Sequence, residues 1–238
     1  MAHALLRAAS TLMWTLGGGS AIPKWDTRYV CPHKWGRGTQ ECARHIAQDD
    51  LMRVIAGEFR SRRLQTLSGL ALRPTPDRLR ETLFNILAPK LRNAVFLDAY
   101  AGSGAVGIEA LSRGAARAIF IEKHRPAVDT IRENLKTLGL LDRSLVVAGP
   151  AAREIAAHPA DLVFVDPPYP LEKEYAAVLE SLGRNPPALA IVQHSIRFEL
   201  AERYGNLART RVVRQGDNAL SFFSSEQAQL DGSANSAS

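Results

Sequence analysis

Cysteine is nearly absent from this chain. Its 238 residues include two, Cys31 and Cys42, and none follows. Two cysteines cannot build a disulfide framework, and their scarcity fits a reducing compartment, so a cytoplasmic location is expected. Long apolar runs are absent as well. No stretch approaches the ~20 residues that span a bilayer, so no membrane partner is expected. The first apolar stretch, Leu5–Leu16, is broken by Arg7 and lacks a basic leader. That argues against a secretory signal, and leaves only a faint transit-peptide character from its arginine and lack of acid. Acidic residues are scarce in one place. Residues 52–92 hold nine Arg or Lys (Arg53, Arg60, Arg62, Arg63, Arg73, Arg78, Arg80, Lys90, Arg92) against Glu58, Asp77 and Glu81. This local surplus equals the whole net charge of +6. A basic segment beside a folded domain points to a polyanion, most simply nucleic acid, against the plainer reading of a solvated surface.

With 46% hydrophobic and 23% charged residues the chain reads as an ordinary globular protein, long enough for one sizeable core. Residues 1–51 differ from the rest. They carry Gly17-Gly18-Gly19-Ser20, three tryptophans and little periodicity. They are expected to be a disordered extension, and Met52 resembles a natural start, as if an upstream codon had been taken instead. Cys31, His33, Cys42 and His45 are four zinc-capable side chains, but their spacing matches no common finger, so no metal site is expected. The tail, residues 226–238, rich in Gly, Ser, Ala and Asn, is also expected to be disordered.

Between these ends the pattern is regular. Arg53–Ala56 and Arg63–Thr66 read as short strands around the basic turn Arg60-Ser61-Arg62. Thr75 as N-cap and Pro76 as first helical residue open a helix whose Leu79, Leu83, Ile86 and Leu87 share a face, with Pro89 expected to close it. From Ala94 strands and helices alternate. The strands are Ala94–Asp98, Ala118–Glu122, Ser144–Ala148, Asp161–Val165, Ala188–His194, Thr210–Arg214 and Ala219–Ser224. The helices are Ala105–Arg113, Pro126–Leu138, Ala151–Ala157 and Glu172–Leu182. Such alternation predicts a doubly wound α/β sheet of seven strands, mostly parallel. The tight turn Gln215-Gly216-Asp217 makes one strand antiparallel. A basic appendage, residues 52–92, precedes the main domain, residues 93–225.

Two loops carry the chemistry. The first strand ends at Asp98 and runs into Gly102-x-Gly104-x-x-Gly107. This pattern is weak alone, but here it lies between a strand and a helix, where glycines let backbone approach a ligand. The second strand ends at Glu122, eighteen residues after Gly104, where an acid can hold ribose hydroxyls. Either a nicotinamide dinucleotide or S-adenosylmethionine fits. Asp98 separates them: its charge would repel a pyrophosphate at the helix start and attract an ammonium and a sulfonium. The fourth strand, Leu162–Val165, stops at Asp166-Pro167-Pro168-Tyr169. Two prolines in a row make that loop stiff. It holds a carboxylate, a main-chain carbonyl and an aromatic ring in fixed relation, a grip suited to a planar base with an amino group.

Asp98 through Gly107, Glu122 and Asp166-Pro167-Pro168-Tyr169 resemble the motifs of class I S-adenosylmethionine-dependent methyltransferases that act on exocyclic amino groups. Two further stretches narrow the match: Arg73-Pro74-Thr75-x-x-Arg78-x-Arg80-Glu81-Thr82-Leu83-Phe84-Asn85, and Glu109-Ala110-Leu111-Ser112-Arg113-Gly114-Ala115. With them, the chain from Met52 to about Ser224 resembles the RsmD family of bacterial 16S rRNA guanine-N2 methyltransferases. The resemblance implies a Rossmann-like fold and S-adenosylmethionine as cofactor. It implies that Asp98, Ala101, Gly102, Ser103 and Gly104 line the methionine end of the cofactor. Glu122 would bind the ribose, Lys123 would lie beside the adenine, and Arg73, Pro74 and Thr75 would cover the cofactor. Asp166, Pro167, Pro168 and Tyr169 would be the catalytic loop. Arg53, Arg60, Arg62, Arg63 and Arg78 would contact RNA. The substrate would be 16S rRNA in an assembled or assembling small subunit, met by a monomer. One departure stands out: after the third strand, Val147-Ala148-Gly149-Pro150 offers no side chain to the adenine amino group.

Overall fold

The computed structural model describes residues 52–66, 77–168 and 172–225. All belong to one compact unit, residues 46–238. Helix α1 (Asp77–Leu91) leads into β1 (Val95–Asp98), α2 (Ala105–Ser112), β2 (Arg117–Glu122), α3 (Arg125–Thr137) and β3 (Ser144–Ala148). After these come α4 (Ala151–Glu154), β4 (Leu162–Val165), α5 (Glu172–Arg184) and β5 (Leu189–Ser195). The chain then turns to β6 (Arg203–Tyr204), β7 (Leu207–Gln215) and β8 (Asn218–Ser225). The sheet order is β3-β2-β1-β4-β5-β8-β7-β6. Strands β1 to β5 pair in parallel, whereas β8 enters antiparallel beside β5, β7 beside β8, and β6 beside β7.

The doubly wound, mostly parallel sheet is as expected, with one strand more than the seven anticipated. The addition is β6, two residues long and paired only through Arg203↔Ala208 and Tyr204↔Leu207. Both faces are covered, which explains the unbroken apolar strands. On one face Leu97, Val163, Val165 and Val192 pack on Ile155, in the 3-10 turn just after α4, and on Val178 and Leu179 of α5. On the other, Phe96, Phe164 and Ile191 pack on Leu83, Phe84 and Leu87 of α1 and on Val106 of α2. Each such side chain contributes about 1.5–3 kcal/mol when fully buried. None of the described helices is long and apolar enough to cross a membrane.

Three local expectations need correction. Pro89 does not close α1. The helix continues to Leu91 because that side chain, 1% exposed, is anchored in the core, and Pro89 only removes one bond in the last turn. On the α1 face Ile86 is half-buried, while Phe84 and Arg80 are buried with the leucines. The two strands of the basic segment reduce to a single antiparallel bridge, Arg53↔Arg63. Around that bridge the Val54 N–H donates to the Arg62 carbonyl at 3.0 Å and the Leu64 N–H to the Met52 carbonyl at 2.8 Å, but the next donors are used elsewhere. The N–H groups of Ile55 and Ala56 donate to the two carboxylate oxygens of Glu109 at 2.7 and 2.9 Å. The N–H of Phe59 donates to Ser112 Oγ at 3.0 Å. Glu109 is 0% exposed and is itself paired with Arg113 Nε at 2.6 Å. Arg80, also fully buried, donates to the Arg53 carbonyl and to Asp77. Thus the basic turn is docked on α2 through buried charge.

Gly57 makes that docking possible. Its φ is +84°, and a Cβ there would stand 2.0 Å from the Ser112 carbonyl oxygen. We expect Gly57→Ala to lower stability by roughly 1–3 kcal/mol and to speed proteolysis between residues 57 and 63. Thermal melts and limited trypsin digestion would check this, and an unchanged cleavage rate would contradict the docking.

Candidate active site

Parallel register brings the expected acids to one edge of the sheet. Asp98 pairs with Phe120 on β2 and with Phe164 on β4. Glu122 and Asp166 each lie two residues past those partners, so three carboxylates converge from three adjacent strands at their carboxyl ends. That is where ligands bind in open α/β sheets. The backbone stitches the edge together: the Ala99 N–H donates to the Phe164 carbonyl at 2.9 Å and the Ala101 N–H to the Ile121 carbonyl at 3.1 Å.

Asp98 is 1% exposed and accepts the Gly107 N–H at 3.1 Å. It therefore caps the first turn of α2 from the neighbouring strand, which suits the helix dipole. Burial pushes its carboxyl from the ordinary 3.8 up to about 7, opposed by the Gly107 N–H and reinforced by the charges of Asp166 and Glu122. A buried acid repelled by two further acids makes a pocket matched to a cation. Glu122 is held by both oxygens, with Oε2 accepting the Gly102 N–H at 2.9 Å and Oε1 the His124 N–H at 2.8 Å. Its remaining lone pairs are left for hydroxyl donors.

The glycines divide their work. Gly102 and Gly104 take φ of +54° and +80°, which shape the turn, and no atom lies within 4 Å of a Cβ built on Gly102. Gly107 is not there for a ligand. A Cβ on it would meet the Phe120 ring at 2.3 Å, so it serves close packing of α2 on β2. Asp166 is half-buried, Pro167 buried and Pro168 exposed. Tyr169 lies outside the described residues, as do Arg73, Pro74, Thr75 and the four zinc-capable side chains.

Several groups support this edge that the sequence did not single out. Glu174 on α5 accepts the Tyr100 hydroxyl at 2.6 Å and lies 4.0 Å from Lys123 Nζ. Burial, then this hydrogen bond to Glu174, pushes the Tyr100 phenol up, so it stays protonated. Tyr100 thus ties the glycine loop to the helix that follows the Asp-Pro-Pro loop. Glu154 packs against Gly149, where a Cβ would meet its Cγ and Oε1 at 2.8 Å. An acid therefore stands beside the turn after β3 although that turn has none of its own. His194 is structural: its Nδ1–H bridges the Ser195 and Phe198 carbonyls at 2.9 and 3.0 Å, and its Nε2 accepts from Ser221 Oγ at 2.8 Å.

Arg53, Arg60, Arg62, Arg63 and Arg78 are all exposed. Arg60 and Arg62, on the turn, do not crowd the acidic edge. The turn at Gly57–Arg62 rests on the Ser112 end of α2, and the glycine loop lies at the other end. Eight residues at 1.5 Å each separate them by roughly 12 Å along the helix.

The sequence family described as conserved hypothetical protein 95 matches residues 52–224. Ribosomal RNA small subunit methyltransferase D of Haemophilus influenzae is 36% identical over 150 residues, covering 60% of this chain and 78% of that protein. The Escherichia coli K12 protein of the same name is 47% identical over 120 residues, covering 50% of this chain and 60% of its own. The solved structure of Escherichia coli yhhF superposes with a TM-score of 0.63 at 35% identity, covering 74% of this chain and 98% of that one. A Pyrococcus horikoshii structure at 18% identity and a TM-score of 0.57 shares the fold alone. With the acidic edge, the glycine turn and the Asp-Pro-Pro loop in one class I methyltransferase fold, the chain belongs to the conserved hypothetical protein 95 family, the RsmD methyltransferases.

Proposed function

We propose that this protein methylates the exocyclic N2 amino group of a guanine in 16S rRNA of the small ribosomal subunit, with S-adenosylmethionine as methyl donor. The observation that carries the reading is the convergence of Asp98, Glu122 and Asp166 on one strand edge with the stiff Asp166-Pro167-Pro168 loop beside them. The names of the Haemophilus and Escherichia relatives support ribosomal RNA as substrate.

The residues fit the cofactor by charge. Asp98 is costly to ionise among its neighbours and gains from an ammonium beside it, while Glu122 offers oxygen to ribose hydroxyls. S-adenosylmethionine, when bound, supplies an electrophilic methyl on a sulfonium. The chain's own residues then act on the base. The Asp166 carboxylate and the Pro167 carbonyl accept hydrogen bonds from the amino group. This turns its lone pair, otherwise delocalised into the ring, toward the methyl. Fixed in-line placement supplies much of the acceleration. Tyr169 stacks on the base, and the proton lost from nitrogen passes to Asp166 or to solvent. The base must leave its stack, so a loop or flipped nucleotide is required. The exposed Arg53, Arg60, Arg62, Arg63 and Arg78 hold phosphates, which makes affinity fall with salt.

The test offers isotope-labelled cofactor with separated ribosomal subunits, DNA and bulk protein. Label entering small-subunit RNA alone is expected. Label in DNA or in protein glutamine, with none in small-subunit RNA, would overturn the reading.

A further inference from the structure

Asn134 is a polar residue in the interior of α3, 3% exposed. An asparagine there is a poor helix former, and a buried amide is costly unless bonded. Its bonding capacity is spent on two separate segments. Oδ1 accepts the Gln65 N–H at 2.7 Å, and Nδ2 donates to the Gln65 carbonyl at 3.0 Å and to the Ser103 carbonyl at 3.0 Å. Gln65 follows the Arg53↔Arg63 hairpin, eight residues before Arg73-Pro74-Thr75 in the sequence. Ser103 is the middle residue of Gly102-Ser103-Gly104. One turn earlier on α3, Ile131 lies 3.4 Å from a Cβ built on Gly104, so the helix backs the same loop by packing.

We propose that Asn134 is a positioning residue that couples the glycine loop to the basic hairpin, so that cofactor and RNA bind cooperatively. This rests on the function proposed above. One NH2 group serves both carbonyls, so a shift of the glycine loop reorients the amide and with it the hydrogen bonds to Gln65. The hairpin is also held to the body elsewhere, by Glu109 and Ser112 on α2 and by Arg80 on α1, which donates to the Arg53 carbonyl. Those anchors hold the hairpin, whereas Asn134 also bonds Ser103 of the glycine loop, which separates holding from coupling. Coupling free energies are reciprocal, so RNA must tighten cofactor binding by the same factor that cofactor tightens RNA binding.

The probe pair is S-adenosylhomocysteine and small ribosomal subunits at fixed salt. In the wild type, S-adenosylhomocysteine is expected to tighten subunit binding about 5-fold or more. In Asn134→Ala that ratio falls to about one. In Glu109→Gln, subunit binding weakens by the same factor with and without S-adenosylhomocysteine, and the ratio persists. A ratio retained in Asn134→Ala, or absent from the wild type, overturns the proposal. Hydrogen exchange at the Gln65 amide of the wild type needs no variant and no RNA. It should slow when S-adenosylhomocysteine binds, and an unchanged rate with bound ligand also overturns the proposal. Failure of wild type to bind subunits would instead count against the RNA substrate, and the Gln65 exchange would still decide the link between the loops.

Discussion

Replacing Asp166 by alanine is expected to lower kcat by 10²–10³-fold or more, on the scale of losing one preorganised polar group at a reacting centre. Cofactor affinity should not fall with it. Asp166 lies at the end of β4, the proposed place of the target base, whereas the proposed cofactor contacts come from the ends of β1 and β2. Its charge also helps to hold the Asp98 carboxyl high. Removing that charge lets Asp98 ionise more readily, so cofactor binding in the variant should be equal or slightly tighter. A fall in kcat with an unchanged cofactor Kd reports an interaction made toward the transition state. Asp166→Asn keeps one oxygen acceptor for the amino group but cannot take a proton. Substantial activity in the asparagine variant would identify hydrogen-bond acceptance as the main role. Full turnover by the alanine variant would show the reacting centre to lie elsewhere. Single-turnover kinetics and calorimetry together make the measurement.

Asp98→Asn is expected to do the opposite, weakening cofactor binding while stabilising the empty protein. The folded-state carboxyl titrates near 7 and the unfolded one near 3.8. Below about 4 both states hold the proton and no penalty arises. As pH rises through this window the unfolded chain ionises first, so stability falls until the folded group also ionises near 7. At 1.36 kcal/mol per pH unit the loss amounts to about 4 kcal/mol, an order-of-magnitude figure. Asparagine keeps an oxygen for the Gly107 N–H and has no proton to lose. The variant should therefore gain on the wild type as pH rises from 4 to 7 and hold its advantage above. The cofactor reverses the ranking, because a bound ammonium favours the ionised aspartate. Wild-type affinity should rise about tenfold per pH unit below 7 and level off above it. The variant should be weak and flat across the same range. Thermal melts with and without S-adenosylhomocysteine at pH 5.5, 6.5 and 7.5 check both halves. A wild type and variant with parallel pH profiles would sink the cationic-pocket argument.

Much of this site could be read before any coordinates, and the reason lies in burial. Strands β1, β2, β4 and β5 are covered on both faces, so Val95-Phe96-Leu97 and Leu162–Val165 appear as plain apolar runs, and their expected ends lie within one residue of the observed limits. Asp98, Glu122 and Asp166 each terminate such a run, so a doubly wound order suffices to bring them together. Elsewhere that signal fades. Strand β6 is two residues long and has no period. Strand β7 starts at Leu207, three residues before the expected Thr210, because an irregularity between Arg209 and Arg211 breaks the alternation. Glu109, Asn134 and Arg80 were opaque for a different reason. A polar residue in a helix reads as surface, and only the folded chain reveals that these three are buried and hold the basic hairpin. The hairpin pairs over a shorter length than the expected strands, because the Ile55 and Ala56 donors are taken by Glu109 of α2, which no local pattern encodes, while Val54 and Leu64 still donate across the hairpin.

The Asp-Pro-Pro loop suits any planar amino group, so the identity of the methylated atom calls for a direct measurement. Nucleoside mass spectrometry of small-subunit RNA, taken from cells lacking this enzyme and treated with the purified protein and S-adenosylmethionine, addresses it directly. The account predicts a single new product, N2-methylguanosine, absent when Asp166→Ala replaces the wild type; a methyl group on adenine, on cytosine or at another guanine position would contradict it.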